Sequence, residues 1–427
     1  MTVVAGALKD VRVLDIASFM AAPMASMWLG DFGADVVKVE HPNGDPIRSW
    51  GNDKEGVPLF WKMVGRNKRS IAVDLQEKQG QELLLELCAV ADVVVENFRP
   101  GTLDRWNIGY DRMRERNPGV VLLSVSAFGQ TGPYSSRAGF GTLAEAMSGF
   151  ADITGQADGP PTLPSFALAD SIAGLCGAYA VLVALHERVA SGEGQHIDLA
   201  LYEPLLTVLS HVFVDYDQLG LIAERLGSRL PLAAPRNVFR TRDDRWVAMS
   251  CSAQSVFERA CGVIGREELI QDEKFATNRA RIQHVDEIEQ HFAEWIGTKS
   301  EDEVLEQFTE AGAAVAPVYT VADVFADPHF QARENLVDVP DAELGTVRMQ
   351  NVTPKLSRTP GAIRHAGPRT GEHAEEILRD WLGRRSGPTE PSESSSFPGV
   401  DEAPGPEAPG PTSQRRAMAM QEREPRT

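Results

Sequence analysis

Residues 11–39 read VRVLDIASFMAAPMASMWLGDFGADVVKV, and this stretch decides the fold. Val11 to Ile16 is β-rich, Ala21 to Gly33 carries small and apolar residues at helical spacing, and Ala34 to Val39 returns to strand composition. Strand, helix and strand in that order make a βαβ unit, whose crossover returns the chain so that its two strands pair in parallel. The alternation continues outward. Ser70 to Leu75 reads as a strand, Gln79 to Val90 as a helix, and Asp92 to Glu96 and Val120 to Val125 as further strands. Ser171 to Val189 is a long apolar helix ending at Ser191-Gly192-Glu193-Gly194, and His196 to Leu201 is a further strand or a strand-to-helix entry. The prediction is an α/β fold, with a doubly wound, Rossmann-like parallel sheet in a large domain over residues 1–225.

Beyond residue 225 the pattern changes. Asn237 to Thr241 and Trp246 to Ser250 flank Arg242-Asp243-Asp244-Arg245 as a hairpin, and amphipathic helices follow around 253–264, 285–297 and 301–311. Residues 226–330 are therefore expected to form a smaller α+β domain. Residues 331–385 carry short β-like runs at Leu336 to Val339 and Gly345 to Met349 and a closing helix from Glu372 to Leu382, expected to return to the large domain. Residues 386–427 are Pro, Ser, Glu and Gly with almost no apolar side chains, a composition that predicts a disordered tail.

The balance of 42 basic against 61 acidic residues gives a net charge of −19, which repels nucleic acid and anionic membranes. A polyanionic ligand would have to meet a local basic pocket. The four cysteines, Cys88, Cys176, Cys251 and Cys261, are widely spaced and read as reduced thiols. The start MTVVAGALKDVRVLDIA lacks the features of a signal peptide, and the longest apolar run, Ile172 to Leu185, is shorter than the roughly 20 residues that cross a bilayer. A soluble cytoplasmic protein is the expectation.

There is no GxSxG elbow, no GxxxxGK[ST] loop and no HExxH, and the nine histidines form no obvious ligand pair. Gly139-Phe140-Gly141-Thr142-Leu143-Ala144 matches a loose GxGxxA but stands away from the first βα turn, where a dinucleotide fingerprint belongs. Asp170 is more informative. It lies between Pro164-Ser165-Phe166-Ala167-Leu168-Ala169 and the apolar Ser171-Ile172-Ala173-Gly174-Leu175-Cys176-Gly177, where a carboxylate needs a partner. It reads either as a helix N-cap or as a nucleophile, and the roles are compatible, because the positive end of a helix favours the ionised form. Gly174 and Gly177 fit either close helix packing or close approach of a long ligand.

Read together, the ordered segments Leu8-Lys9-Asp10-Val11-Arg12-Val13-Leu14-Asp15, Leu29-Gly30-Asp31-Phe32-Gly33-Ala34-Asp35-Val36-Val37-Lys38-Val39-Glu40, Asn67-Lys68-Arg69-Ser70 and Ala91-Asp92-Val93-Val94-Val95-Glu96-Asn97-Phe98-Arg99-Pro100-Gly101 carry a resemblance. Phe128-Gly129-Gln130-Thr131-Gly132-Pro133, Leu168-Ala169-Asp170 and Gly192-Glu193-Gly194-Gln195-His196-Ile197-Asp198-Leu199-Ala200 extend it. Over residues 7–383 the chain resembles the class III CoA-transferases, the family of formyl-CoA and carnitine CoA-transferases.

The resemblance implies that Asp170 is the catalytic aspartate, that no metal or permanently bound cofactor is needed, and that coenzyme A or an acyl-CoA is the substrate. It implies CoA contacts from Met20, Ala21, His41, Leu75 to Lys78, Asn97, Phe98, Arg99, Arg105, Ser126, Ala127, Phe128 and Gly129. His41 stands where relatives often carry arginine, so Arg48, Lys68, Arg69, Arg99 and Arg105 are the remaining cations for the CoA phosphates. Phe140 and Gly141 fall on the acyl side, and Ala138-Gly139-Phe140-Gly141 is the candidate lining for oxyanion stabilisation. Asp170 would attack the thioester carbonyl to form a mixed anhydride, needing no general base because a carboxylate is ionised at neutral pH. Short dicarboxylates are expected as the acids, with Arg236, Asn237 and Ser250 to Ser255 as second-domain contacts. An interlocked homodimer is implied as the assembly.

The same family includes α-methylacyl-CoA racemases, which need a histidine followed by an aspartate where this chain has Phe140-Gly141; neither residue moves a proton, which favours transfer. A non-catalytic CoA-binding or scaffold protein, with Asp170 a structural cap and the tail an interaction segment, is the alternative of a different class.

Overall fold

The computed structural model describes residues 6–384. Six strands form the central sheet: β1 (Arg12–Asp15), β2 (Asp35–Glu40), β3 (Lys68–Ala72), β4 (Val93–Glu96), β5 (Val121–Ser126) and β6 (His196–Ala200). Their order is β3-β2-β1-β4-β5-β6, and each neighbouring pair is parallel. Helices cover both faces, so the doubly wound sheet expected from the alternation is present. The strands read as near-continuous Val, Ile and Leu runs because both of their sides are buried.

One face is covered by α1 (Ala21–Asp31) and α4 (Leu168–Ser191). Between them in sequence lie α2 (Lys78–Cys88), on the opposite face, and α3 (Gly141–Met147), beside the start of α4. The α1–α4 contact explains the glycines. A Cβ on Gly174 would stand 2.8 Å from the Ala21 carbonyl oxygen, and one on Gly177 would stand 2.9 Å from Leu123 Cδ2. Both glycines therefore serve close packing against α1 and the sheet. At 24 residues, with mean hydropathy 1.8 over its most apolar window, α4 is long and apolar enough to cross a membrane by length and composition, unlike the shorter run visible in the sequence. Its Ala and Gly face is packed on α1 and β5.

The third strand begins earlier than its composition suggests, at Lys68 instead of Ser70. The physical reason is that Lys68 is a buried ion-pair partner, so a cation opens a segment whose β-like residues start two positions later.

A second core surrounds an antiparallel sheet of β7 (Arg236–Arg240), β8 (Trp246–Ser250) and β9 (Val315–Pro317), ordered β9-β8-β7. Phe257, Phe275, Phe292 and Phe308 fill it. Helices Gln254–Val263, Val285–Ile296 and Glu301–Glu310 fall where the amphipathic pattern places them. Leu336–Asp341 and Gly345–Gln350 pair as a hairpin. Helix Ala374–Leu382 docks Ile377 and Trp381 into the core beneath β3 and α2, and Trp381 Nε1 donates to Asp35 Oδ2 at 2.8 Å. The tail expected over 386–427 lies outside the described residues.

Candidate active site

The strand order reverses between β1 and β4, so the chains leaving their C-terminal ends diverge and open a crevice, the usual ligand position in such sheets. Asn97 ties the two exits together: its Oδ1 accepts from Ser18 N at 2.8 Å and its Nδ2 donates to the Ser18 carbonyl at 2.7 Å. Phe19 then turns through a left-handed φ of 62°, held by Asp45 Oδ1 accepting its N–H at 3.1 Å. The cleft that results is open to solvent, with Met20 and Ala21 on one wall, Val125 to Ala127 on another, and Asp170 exposed to it.

Asp170 is not the N-cap. The helix starts at Leu168 with Ala167 as its cap residue, and Asp170 is third in the first turn. A side chain from another helix does the capping: Glu145 Oε1, on α3, accepts the Ala169 N–H at 3.1 Å. Among the described residues no cation pairs with the Asp170 carboxylate. Its Oδ2 lies against Gly141, where an added Cβ would be 2.2 Å away. Burial, reinforced by the adjacent Glu145 carboxylate, raises Asp170 from the usual carboxylate range to about 6. Near neutral pH it is still mostly ionised, and more basic than an ordinary aspartate.

A second cavity of about 530 Å³ adjoins the first, sharing Ser18 and Phe98, and reaches the ends of β2 and β3 past His41 and Leu75. Of the residues singled out in the sequence, Met20, Ala21, Asn97, Phe98, Arg99, Ser126, Ala127, Phe140 and Asp170 line the main cleft, and His41 and Leu75 line its extension. Ser126 Oγ is buried with no hydrogen-bond partner among the described residues. Lys78 opens α2 and lines neither cavity; Arg105 donates to Thr102 Oγ1 at 2.8 Å and also lies outside them. Phe128 and Gly129 sit behind the wall: the Phe128 ring backs Gly139, and Gly129 approaches Asp198. Gly141 contacts the cleft only through Asp170.

The cations sort sharply. Arg48 is held by Glu40 at 2.7 Å and stacks over Trp61, Lys68 is buried against Asp15 at 2.8 Å, and Arg69 bridges Asp35 and Asp380. These three are committed to the fold. Arg99 and Arg105 have no carboxylate partner among the described residues, and neither does Arg137, which the sequence reading missed. Arg137 lines the cleft and stacks on Tyr134 at 3.6 Å from the ring centre. Glu145 was missed too, since Ala144-Glu145-Ala146 reads as an ordinary helix segment until α3 is packed against α4. Arg236, Asn237 and Ser250 line one open pocket at the antiparallel sheet, but Asn237 Nδ2 is engaged with Glu289 Oε2 at 2.9 Å. Among the described residues no group of three or more His, Cys, Asp or Glu is placed to hold a metal ion.

The family model described as CoA-transferase family III matches residues 8–374. The chain is 42% identical over 378 residues to the succinyl-CoA–D-citramalate CoA-transferase of Chloroflexus aurantiacus, covering 88% of this chain and 94% of that one. It is 35% identical over 382 residues to the succinate–glutarate CoA-transferase of Agrobacterium fabrum, covering 87% and 95% respectively. The crystal structure of a CAIB/BAIF family protein from Brucella suis superposes with a TM-score of 0.79 at 34% identity, covering 88% of this chain and all of that one. Motif order, sheet topology and relatives spanning nearly the whole length agree: the chain belongs to CoA-transferase family III and is a CoA-transferase.

Proposed function

We propose that the protein moves CoA from succinyl-CoA or a similar thioester to a second short dicarboxylic acid through a mixed anhydride on Asp170. The observation that carries this reading is a carboxylate in the crevice with no cation beside it and a backbone glycine against it. Asp170 Oδ attacks the thioester carbonyl carbon, the C–S bond breaks, and CoA leaves as thiolate, producing an acyl-aspartyl anhydride. The thiolate returns to the aspartyl carbonyl and releases the donor acid as carboxylate. The acceptor carboxylate then attacks the aspartyl thioester, and thiolate attack on the acceptor's acyl carbon gives the new CoA thioester and regenerates Asp170. One anion displaces another at every stage, carboxylate and thiolate in alternation, so no net proton moves and no general base is required.

The pantetheine and nucleotide are assigned to the continuous cavities past Ser18, Phe98 and His41, with Arg99 and Arg105 near the phosphates and Ser126 Oγ offering a free hydroxyl. Arg137, unpaired at the mouth, is assigned to the distal carboxylate of the dicarboxylate. The names of the relatives above support dicarboxylates as the class of acid. We further assign the chain to a homodimer in the cytoplasm. The outer side of α4 exposes Leu175, Tyr179 and Val183, each at least half exposed, and helix Val212–Leu219 exposes Val214, Tyr216 and Leu219, apolar side chains that a second copy would cover.

Incubation with succinyl-CoA, then hydroxylamine and peptide mass analysis, is the direct test: a hydroxamate is expected on Asp170. Transfer to citramalate, malate or glutarate with Asp170 unmodified would overturn the anhydride. Solvent deuterium at the acyl α-carbon without acyl exchange would move the protein to the racemases.

A further inference from the structure

Glu145 is nearly fully buried, 3% exposed, and lines neither cavity of the cleft. Its position relative to Asp170 is nevertheless fixed. One carboxylate oxygen accepts the Ala169 N–H, the amide that immediately precedes the nucleophile, so the two acids are held side by side at the mouth of α4. A helix N-terminus ordinarily stabilises an ionised aspartate by its free N–H groups and positive dipole end. Here a second carboxylate occupies that end. The other charged groups sharing the cleft are Arg99 and Arg137, on its lining. The α1 residues packed against the start of α4 are Ala21, Met24 and Trp28, none of them titratable.

We infer that Glu145 is a positioning residue for the transfer reaction: its fixed negative charge destabilises the resting Asp170 carboxylate relative to the neutral acyl-aspartyl anhydride and so drives acylation. This rests on the anhydride chemistry proposed above. When Asp170 attacks the thioester its negative charge is lost to the departing thiolate, the aspartyl group becomes an uncharged anhydride, and the repulsion from Glu145 disappears with it. Burial first, and the same repulsion added to it, keep Asp170 basic. The racemase reading gains nothing from this second acid, because Glu145 is shut behind Asp170 and cannot reach a substrate α-carbon.

Glu145→Gln tests the charge alone, since the amide oxygen can still accept the Ala169 N–H and the side chain keeps its size. With the holoenzyme and succinyl-CoA, the acid limb of the transfer rate is expected to move down by roughly one pH unit, and the hydroxylamine-trapped acyl-enzyme at pH 8 to fall about tenfold, with KM for succinyl-CoA within about twofold of the parent. Glu145→Ala removes both cap and charge and should add a loss of thermal stability. An unmoved acid limb and undiminished acyl-enzyme in Glu145→Gln would overturn the inference and leave Glu145 a helix cap. If Asp170 in the parent enzyme never acylates, the reading beneath it fails instead, which the same trapping experiment reports before any variant is made.

Discussion

Asp15, fully buried at the end of β1, and Asp170, half-buried in the crevice that opens just beyond that strand end, have surroundings that divide structure from chemistry. Asp15 is fully buried at the end of β1 between Lys38 and Lys68, accepting from Lys68 Nζ at 2.8 Å and from Ser26 Oγ at 2.6 Å. Burial alone would raise it, but the two ammonium groups outweigh that and hold it below the usual carboxylate range. Asp170 has the opposite balance. Burial raises it, Glu145 raises it further, and no cation compensates, which brings it to about 6. Identical carboxyl groups thus become a cross-strand brace in one place and a basic nucleophile with no cation partner among the described residues in the other. The lesson is that cations are withheld from the reactive acid; the fold uses Lys38, Lys68 and Arg48 for bracing and, among the described residues, leaves Arg99 and Arg137 facing the cleft.

Four measurements would break or sharpen this contrast. Asp170→Asn should abolish transfer, by at least about 10³-fold, because an amide cannot form the anhydride; residual turnover at a tenth of the parent rate would end the assignment. The same variant should be more stable, by roughly 1–3 kcal/mol at pH 8. The sign follows from a folded pKa above the unfolded one: the protonated form is favoured on folding, and that stability is lost as pH rises from about 4 through about 6. Asp15→Asn should do the reverse, leaving two buried ammonium groups short of a counter-charge and lowering stability by roughly 3–5 kcal/mol in chemical denaturation, with little change in kcat for whatever fraction stays folded. An equal effect of both variants on stability would erase the distinction.

Gly141→Ala is expected to lower kcat on the order of 100-fold while sparing global stability, since its Cβ would be driven into Asp170 Oδ2 and a misplaced nucleophile loses its attack geometry. The smallest effect is in the pH profile. The rate should fall tenfold per unit below about 6 as Asp170 is protonated. Glu96, lifted to about 7 by burial and accepting the Phe98 N–H at 2.7 Å, should appear in KM for the CoA thioester and leave the acylation step alone.

Much of the architecture was legible because it is local. A βαβ unit declares itself through apolar runs at period 2 or 3.6, and the strands of a parallel sheet buried on both faces are near-continuous β-branched segments. The hairpin around Asp243-Asp244 and the helices after it are equally local. The strand that opens at Lys68 was displaced by two residues, because a lysine at a strand start reads as polar until its partner Asp15, 53 positions away, is known.

Amino-acid order by itself therefore determined the sheet, its doubly wound layering, the family resemblance and the aspartate at the start of a long apolar helix. Only the tertiary structure decided that Asp170 is the third residue of that helix and not its cap, because the capping group arrives from Glu145 on another helix. Only it separated the candidate cations into braces and unpaired groups, since Arg48, Lys68 and Arg69 look no different from Arg99 in sequence. Periodicity encodes which face of an element is apolar, whereas a charge acquires its role from what lies within a few ångströms of it, and those neighbours come from distant positions in the chain.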